Sequence, residues 1–181
     1  MSGSYNRTEG HRDNMEFEQY GGYAKLGYEM TGNWNLRGDI NITHFNASYP
    51  GPITAPLLDG DQRITRGVTS FAIENNYEQT SGGLSFFYNW GKHWINDGYT
   101  PSKEEKPQDE RFNSRDNMMG VSLYQSMQLF KGNRITAGVD WFRYGGKAWN
   151  EYVSGEHIGT TSDLVNKHEN ELLAMLICAK R

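Results

Sequence analysis

One cysteine, Cys178, is all that the 181 residues contain, so an internal disulfide and a multi-cysteine metal site are both excluded. Blocks of one charge are missing too. The formal net charge is −4, pI is near 5.7, and no cluster of Lys and Arg stands out along the chain. Nucleic acid requires a basic footprint, so it is not an expected partner. No apolar stretch approaches the ~20 residues of a membrane-spanning helix. The opening residues, Met1 to Thr8, lack the apolar core of a signal peptide. Strands could still cross a bilayer, because alternating lipid-facing and lumen-facing residues leave no hydropathy peak.

Catalytic signatures are equally scarce. The chain has no Gly-x-Ser-x-Gly elbow, no His-Glu-x-x-His pair and no phosphate loop ending in Gly-Lys-Ser/Thr. Its five histidines, His11, His44, His93, His157 and His168, share no metal-ligand spacing. We therefore expect no enzyme activity, no cofactor and no metal site.

Aromatic residues and glycine are plentiful, with Tyr 11, Phe 8, Trp 5 and Gly 21, while hydrophobic residues reach only 36%. That balance favours aromatic-rich strands joined by polar loops. Patterning supports this. Ala24, Leu26, Tyr28 and Met30 alternate with Lys25, Gly27 and Glu29; after Thr31-Gly32-Asn33, Trp34, Leu36, Gly38, Ile40 and Ile42 alternate with Asn35, Arg37, Asp39, Asn41 and Thr43. Period two of this kind predicts strands with one apolar face. A second hairpin is expected from Thr69–Tyr77 and Leu84–Trp90, and a third from Met119–Leu129 and Ile135–Trp141 across Lys131-Gly132-Asn133. Gly and Asn there suit the positive φ of a short link.

Short links near 31–33, 79–83 and 131–133 alternate with long ones near 47–62, 95–115 and 145–167. In an up-and-down barrel every second connection lies on the same rim, so one rim carries short turns and the other long loops, as in outer-membrane barrels. Segments of about 10–14 residues match the roughly 9–11 needed to cross a bilayer. Trp34, Trp90, Trp94, Trp141 and Tyr144 fall toward strand ends, where interfacial girdles would lie, although aromatics are favoured in any strand. Lys25, Glu29, Arg37, Asp39 and Asn41 would face a wide, hydrated lumen. A soluble sheet with one solvated face has the same alternation.

These segments resemble the TonB-dependent receptors, particularly those of Bacteroidetes-type bacteria. The likeness lies in Ser4–Thr8 with Gly10–Asn14, Tyr23–Tyr28, Trp34–Leu36, Asn41–Asn46, Gly120–Gln125 and Gly132–Asp140, and covers about residues 1–170. It implies a barrel of about 22 strands closed by a plug, with import of a scarce nutrient such as an iron chelate, haem, cobalamin or glycan. It also implies outer-membrane lipid and the TonB complex as partners and the bacterial outer membrane as location. The expected fold is thus an all-β, antiparallel, transmembrane up-and-down β-barrel fragment. About six full strands form an open meander with partial ones at its ends, without plug, TonB box or closing strand.

Residues 1–171 constitute this partial barrel, and 172–181 form an atypical apolar tail, Leu172–Arg181, where alternation stops. A truncated or shifted reading frame would account for the tail. Ligand contact is expected from the outer loops, at Asp59 and Asp61 in the first long loop and at Trp94, Asp97 and Tyr99 in the second. Two carboxylates in Asp59-Gly60-Asp61 are too few for a calcium shell. Alternative readings are a passive porin-like barrel, a surface adhesin, or a soluble carbohydrate-binding β-sandwich.

Overall fold

The computed structural model describes residues 1–180. Eight strands follow in chain order: β1 (Ser2–Thr8), β2 (Phe17–Thr31), β3 (Trp34–Ser48), β4 (Leu58–Asn76), β5 (Thr80–Tyr99), β6 (Glu110–Met127), β7 (Asn133–Tyr152) and β8 (Thr161–Lys180). Each pairs antiparallel with its sequence neighbours, giving a single meander in the order β1 to β8. The all-β, open meander is as the alternation predicts. The sheet is not closed into a barrel, because β1 and β8 are its two edges.

One expectation needs correction. The strands are longer than the alternation suggests, β2 to β8 spanning 15–20 residues each. Seven strands rather than six are therefore of full length, with β1 the short one at 7 residues. The apolar segment in which alternation stops is paired within the sheet: β8 runs to Lys180, with Trp141 opposite Leu172 and Ile135 opposite Cys178. Backbone pairing with β7 holds it in register although both of its faces are apolar there, so loss of alternation did not mean loss of strand.

Connections keep their alternation but shrink at the long end. Short links occupy residues 32–33, 77–79 and 128–132, and long ones residues 9–16, 49–57, 100–109 and 153–160. Gly132 takes the positive φ expected of it (88°), whereas Asn133 does not; it caps the turn by accepting the Phe130 N–H at 3.1 Å on its side-chain oxygen. The third long link contains one 3₁₀ turn, Pro101–Lys103.

Residues opposite each other in an antiparallel pair point to the same face, so register carries each strand's parity across the sheet. One transverse row reads Leu26, Gly38, Phe71, Phe86, Val121, Trp141 and Leu172. The next row toward the short turns reads Tyr28, Leu36, Ile73, Leu84, Leu123, Val139 and Ala174. Gly38 apart, every position is apolar or aromatic. The opposite face carries Lys25, Asp39, Ser70, Phe87, Gly120, Phe142 and Glu171 in one row. Arg37 bonds Glu74 there at 2.7 Å, and the Ser70 and Ser122 hydroxyls donate to Asp39 and Asp140.

The apolar rows are not packed against anything. Among the described residues Ala72 is the one buried hydrophobic side chain, while Leu26, Leu172 and Leu176 are 78%, 73% and 71% exposed. The sheet thus has an apolar face without a core beneath it. Close approach within the sheet depends on a few glycines. Gly120 has Phe87 on one side and Phe142 on the other, and a Cβ at residue 120 would stand 2.4 Å from Phe87 Cε1 and 2.6 Å from Phe142 Cδ1. The two rings meet over it with centroids 6.1 Å apart.

Candidate functional site

All five residues expected in the outer loops lie on strands, at the loop-side ends of β4 and β5. The long loops are shorter than their polar sequence suggests, because backbone pairing continues where both faces are polar. Register sets Asp61 opposite Asn96, Gly60 opposite Asp97, Leu58 opposite Tyr99 and Arg63 opposite Trp94. Asp61 and Trp94 therefore lie on the face that carries the apolar rows, and Asp97 and Tyr99 on the polar face. Asp59 sits at an irregularity with φ of 57°. The five residues gather at one rim but divide between two faces, so they do not converge on one ligand. Tyr144, expected in an aromatic girdle, is likewise on the polar face, where its hydroxyl meets Glu169 and Glu171 at 3.1 and 3.2 Å.

The residue that organises this rim is Tyr49, in the loop between β3 and β4. Its N–H donates to the Gly60 carbonyl at 2.8 Å and its hydroxyl to the Asn96 carbonyl at 2.9 Å. Gly60 leaves room for the ring: a Cβ there would stand 3.1 Å from Tyr49 Cε2 and 2.7 Å from the Tyr49 carbonyl oxygen. Partial burial, with the nearby carboxylates of Asp97 and Asp61, pushes the Tyr49 hydroxyl above the usual tyrosine range. Both disfavour a phenolate, burial by desolvation and the carboxylates by like charge. Ser48, next in chain, donates to Asp61 at 2.6 Å, so the hydroxyls of Ser48 and Tyr49 tie β3 to β4 and β5. Pro50-Gly51-Pro52 is a turn signal in the sequence, but it does not point to the seat of Tyr49 over Gly60, eleven residues on.

Deeper on the polar face, β4, β5 and β6 bring Arg66, His93, Ser114 and Asp116 together. Arg66 Nη2 meets Asp116 Oδ2 at 2.6 Å, Arg66 Nη1 meets His93 Nε2 at 3.2 Å, and His93 Nδ1 lies 2.9 Å from Ser114 Oγ. An arginine only donates, so His93 Nε2 accepts and its proton belongs on Nδ1, toward Ser114. Arg66 and Asp116 are two strands apart and bond across Gly91, where a Cβ would stand 2.5 Å from Asp116 Oδ1 and 2.9 Å from Arg66 Cζ. Here Arg66 and Asp116 neutralise each other and His93 is held by both neighbours. The arrangement can hydrogen-bond a polar ligand or water but offers no activated nucleophile.

Above the apolar rows the other face becomes polar as well. Beyond Ile42, Trp90, Met119, Trp141 and Leu172 stand His44, Lys92, Asn117, Arg143 and Asn170. A polar groove of about 680 Å³ opens at this level, lined by Arg7, Glu18, His44, Asn46, Asp61 and Arg63 among others. Arg63 stacks on Trp94 with its guanidinium carbon 4.6 Å from the ring centroid. Comparisons with family models, with curated proteins and with solved structures return no match to this chain.

Proposed function

We propose that this sheet is part of the wall of a larger outer-membrane β-barrel of the TonB-dependent receptor kind, whose intact parent imports a scarce nutrient. One observation carries the proposal: a continuous exposed apolar band crosses β2 to β8 on one face, while the other face at the same level is predominantly polar on β2 to β7, with Phe87 and Phe142 among the exceptions. The band runs about 20–27 Å along the strands before correction for tilt, from Trp34 to Ile42 on β3 and from Ile135 to Trp141 on β7. That is the scale of the roughly 25 Å lipid belt of such barrels.

The band also slants. Ile42 at its upper limit on β3 shares a row with Gly145 on β7, four residues beyond Trp141, where the band ends on that strand. Over four strand spacings this corresponds to a slant of about 35°, close to the tilt of barrel strands. Trp34 and Tyr77 at the short-turn margin, bonded Nε1 to Oη at 2.8 Å, and Trp90 and Trp141 at the other margin suit two interfacial girdles. Both edges of the sheet offer unpaired backbone groups to neighbouring strands of the wall. The strand resemblance to TonB-dependent receptors supports the family, and the loop-side rim with Tyr49, Asp97 and Tyr99 is where a nutrient in the intact parent would first dock.

The test uses the full chain with Cys178 replaced by serine and single cysteines at Leu84 or Ser85, each labelled with a polarity-sensitive fluorophore in phospholipid vesicles. Blue-shifted emission at residue 84 but not 85 is expected. Equal emission at both, or a monodisperse soluble monomer without detergent, refutes the wall. Uptake requires the closed barrel and energy coupling, so expression of this chain in a receptor-deleted strain should restore no energy-dependent uptake.

A further inference from the structure

No run of basic residues exists along the sequence, yet register assembles one across the sheet. Lys92 on β5 lies opposite Arg115 on β6, and Arg115 lies opposite Lys147 on β7. All three point to the face of the apolar band, one row above its margin at Trp90 on β5, two rows above Met119 on β6 and three rows above Trp141 on β7. Directly opposite side chains stand with Cβ atoms only about 4.5–5.5 Å apart, and like charges so placed destabilise a sheet. Sheet stability therefore gives no reason for this row.

Nearby carboxylates neutralise it only in part. Lys147 meets Asp163 at 2.9 Å, but among the described residues Lys92 and Arg115 have no ion-pair partner. The next row adds two indoles, Trp94 and Trp149, flanking Asn113. The Arg115 guanidinium carbon and Lys147 Nζ lie 5.8 and 5.7 Å from the Trp149 ring centroid. Arg115, Lys147, Trp149 and Thr161 line a recess of about 250 Å³. Arg143 stands two rows below Lys147 on the same face.

We infer that Lys92, Arg115 and Lys147 bind the phosphate headgroup of a membrane lipid whose acyl chains lie against the apolar band beneath them. This rests on the proposed membrane wall, and two features select a lipid over a free anion. A phosphate supplies the negative charge that the row lacks, with a hydrogen-bonding fork from Arg115 and point charges from the two lysines. An acyl chain descending from that phosphate meets Trp90, Tyr88 and Phe86 along β5, and Met119 and Val121 along β6. Indoles beside the headgroup occupy the depth that tryptophan favours in a bilayer.

The experiment measures lipid retained by the full chain in neutral maltoside micelles by native mass spectrometry, with phosphatidic acid and phosphatidylcholine offered in equal amounts. Phosphatidic acid should be retained about tenfold over phosphatidylcholine at low salt, and that preference should fall as salt is raised. The triple variant Lys92→Gln, Arg115→Gln, Lys147→Gln should lose the preference and, with the repulsion removed, should unfold at equal or higher urea. Neutralising Lys25, Lys106 and Lys167 instead, in the polar face and a loop, should leave the preference intact. Equal retention of the two lipids by the parent chain, preference surviving in the triple variant, or loss of preference with the control triple each overturns the inference. Inorganic phosphate that competes as well as phosphatidic acid, mole for mole, overturns the assignment to a lipid. Because the readout is headgroup selectivity in micelles, it is separate from the fluorophore test of the wall. A chain that passes that test yet shows no selectivity retains its wall and loses only this site.

Discussion

Substituting Gly120 by alanine is the most informative single perturbation of the sheet. The new methyl would enter space held by Phe87 and Phe142, 2.4 and 2.6 Å from their nearest ring atoms. Both distances are far below carbon contact, so at least one ring must rotate or the backbone must shift. Overpacking of this kind costs roughly 1–3 kcal/mol, and parting the two rings forfeits about 0.5–1.5 kcal/mol more. Against this, alanine restricts the unfolded chain and recovers about 0.4–1 kcal/mol. The net expectation is a loss of about 1–3 kcal/mol. Urea titration of the full chain in neutral micelles measures it, with near-UV circular dichroism reporting the ring pair. Gly27→Ala is the control, since the nearest atom to a Cβ there is 4.0 Å away. Phe87→Ala in the same background should reduce the cost of Gly120→Ala, because neighbouring residues couple in a double-mutant cycle. If Gly120→Ala is as stable as Gly27→Ala, the close approach of the two rings over β6 is wrong.

Three other expectations follow from the same structure. Leu84→Arg should abolish insertion into vesicles, at a cost of about 2–4 kcal/mol for a lipid-facing cation, while Ser85→Arg, on the polar face, should insert normally by flotation assay. Gly91→Val should separate Arg66 from Asp116 by displacing flexible side-chain ends. The loss is expected within about 1 kcal/mol for a part-exposed pair. It should largely vanish when measured in an Arg66→Gln background. Tyr49→Phe removes the hydrogen bond to Asn96, costing about 0.5–1.5 kcal/mol at neutral pH. Because the folded Tyr49 hydroxyl titrates above its ordinary value, its contribution is full below about pH 10 and is lost as pH rises through the raised value. The stability difference between parent and variant should therefore shrink in alkali; a difference that widens would contradict the burial and charge surrounding the ring.

Alternation made the sheet legible, because side-chain direction in a strand is a local property with period two. Ala24–Thr43 could be assigned to two opposed faces from the sequence alone, and the glycine at position 132 marked a turn for its own backbone reasons. Strand ends were less legible. From Asp61 to Thr65 on β4 and from Lys92 to Asp97 on β5 polar residues appear on both faces, so the hydrophobic signal ends while the hydrogen-bonded ladder continues. That is why Asp59, Asp61, Trp94, Asp97 and Tyr99 read as loop residues yet stand on strands. Leu172–Ala179 shows the opposite case, being apolar on both faces and still paired with β7.

What the sequence determined by itself was the type of structure: antiparallel strands, an apolar face, and short links alternating with long ones. Tertiary structure decided which side chains meet. Register, a non-local property set by pairing along whole strands, divided the five rim candidates between two faces and seated Tyr49 over Gly60. It also aligned Lys92, Arg115 and Lys147 from three strands. Parity places each residue on a face, but a shift of two residues in one pairing would keep every face unchanged and disperse that row. For this reason the chain could show no basic cluster in its sequence and carry one on its surface.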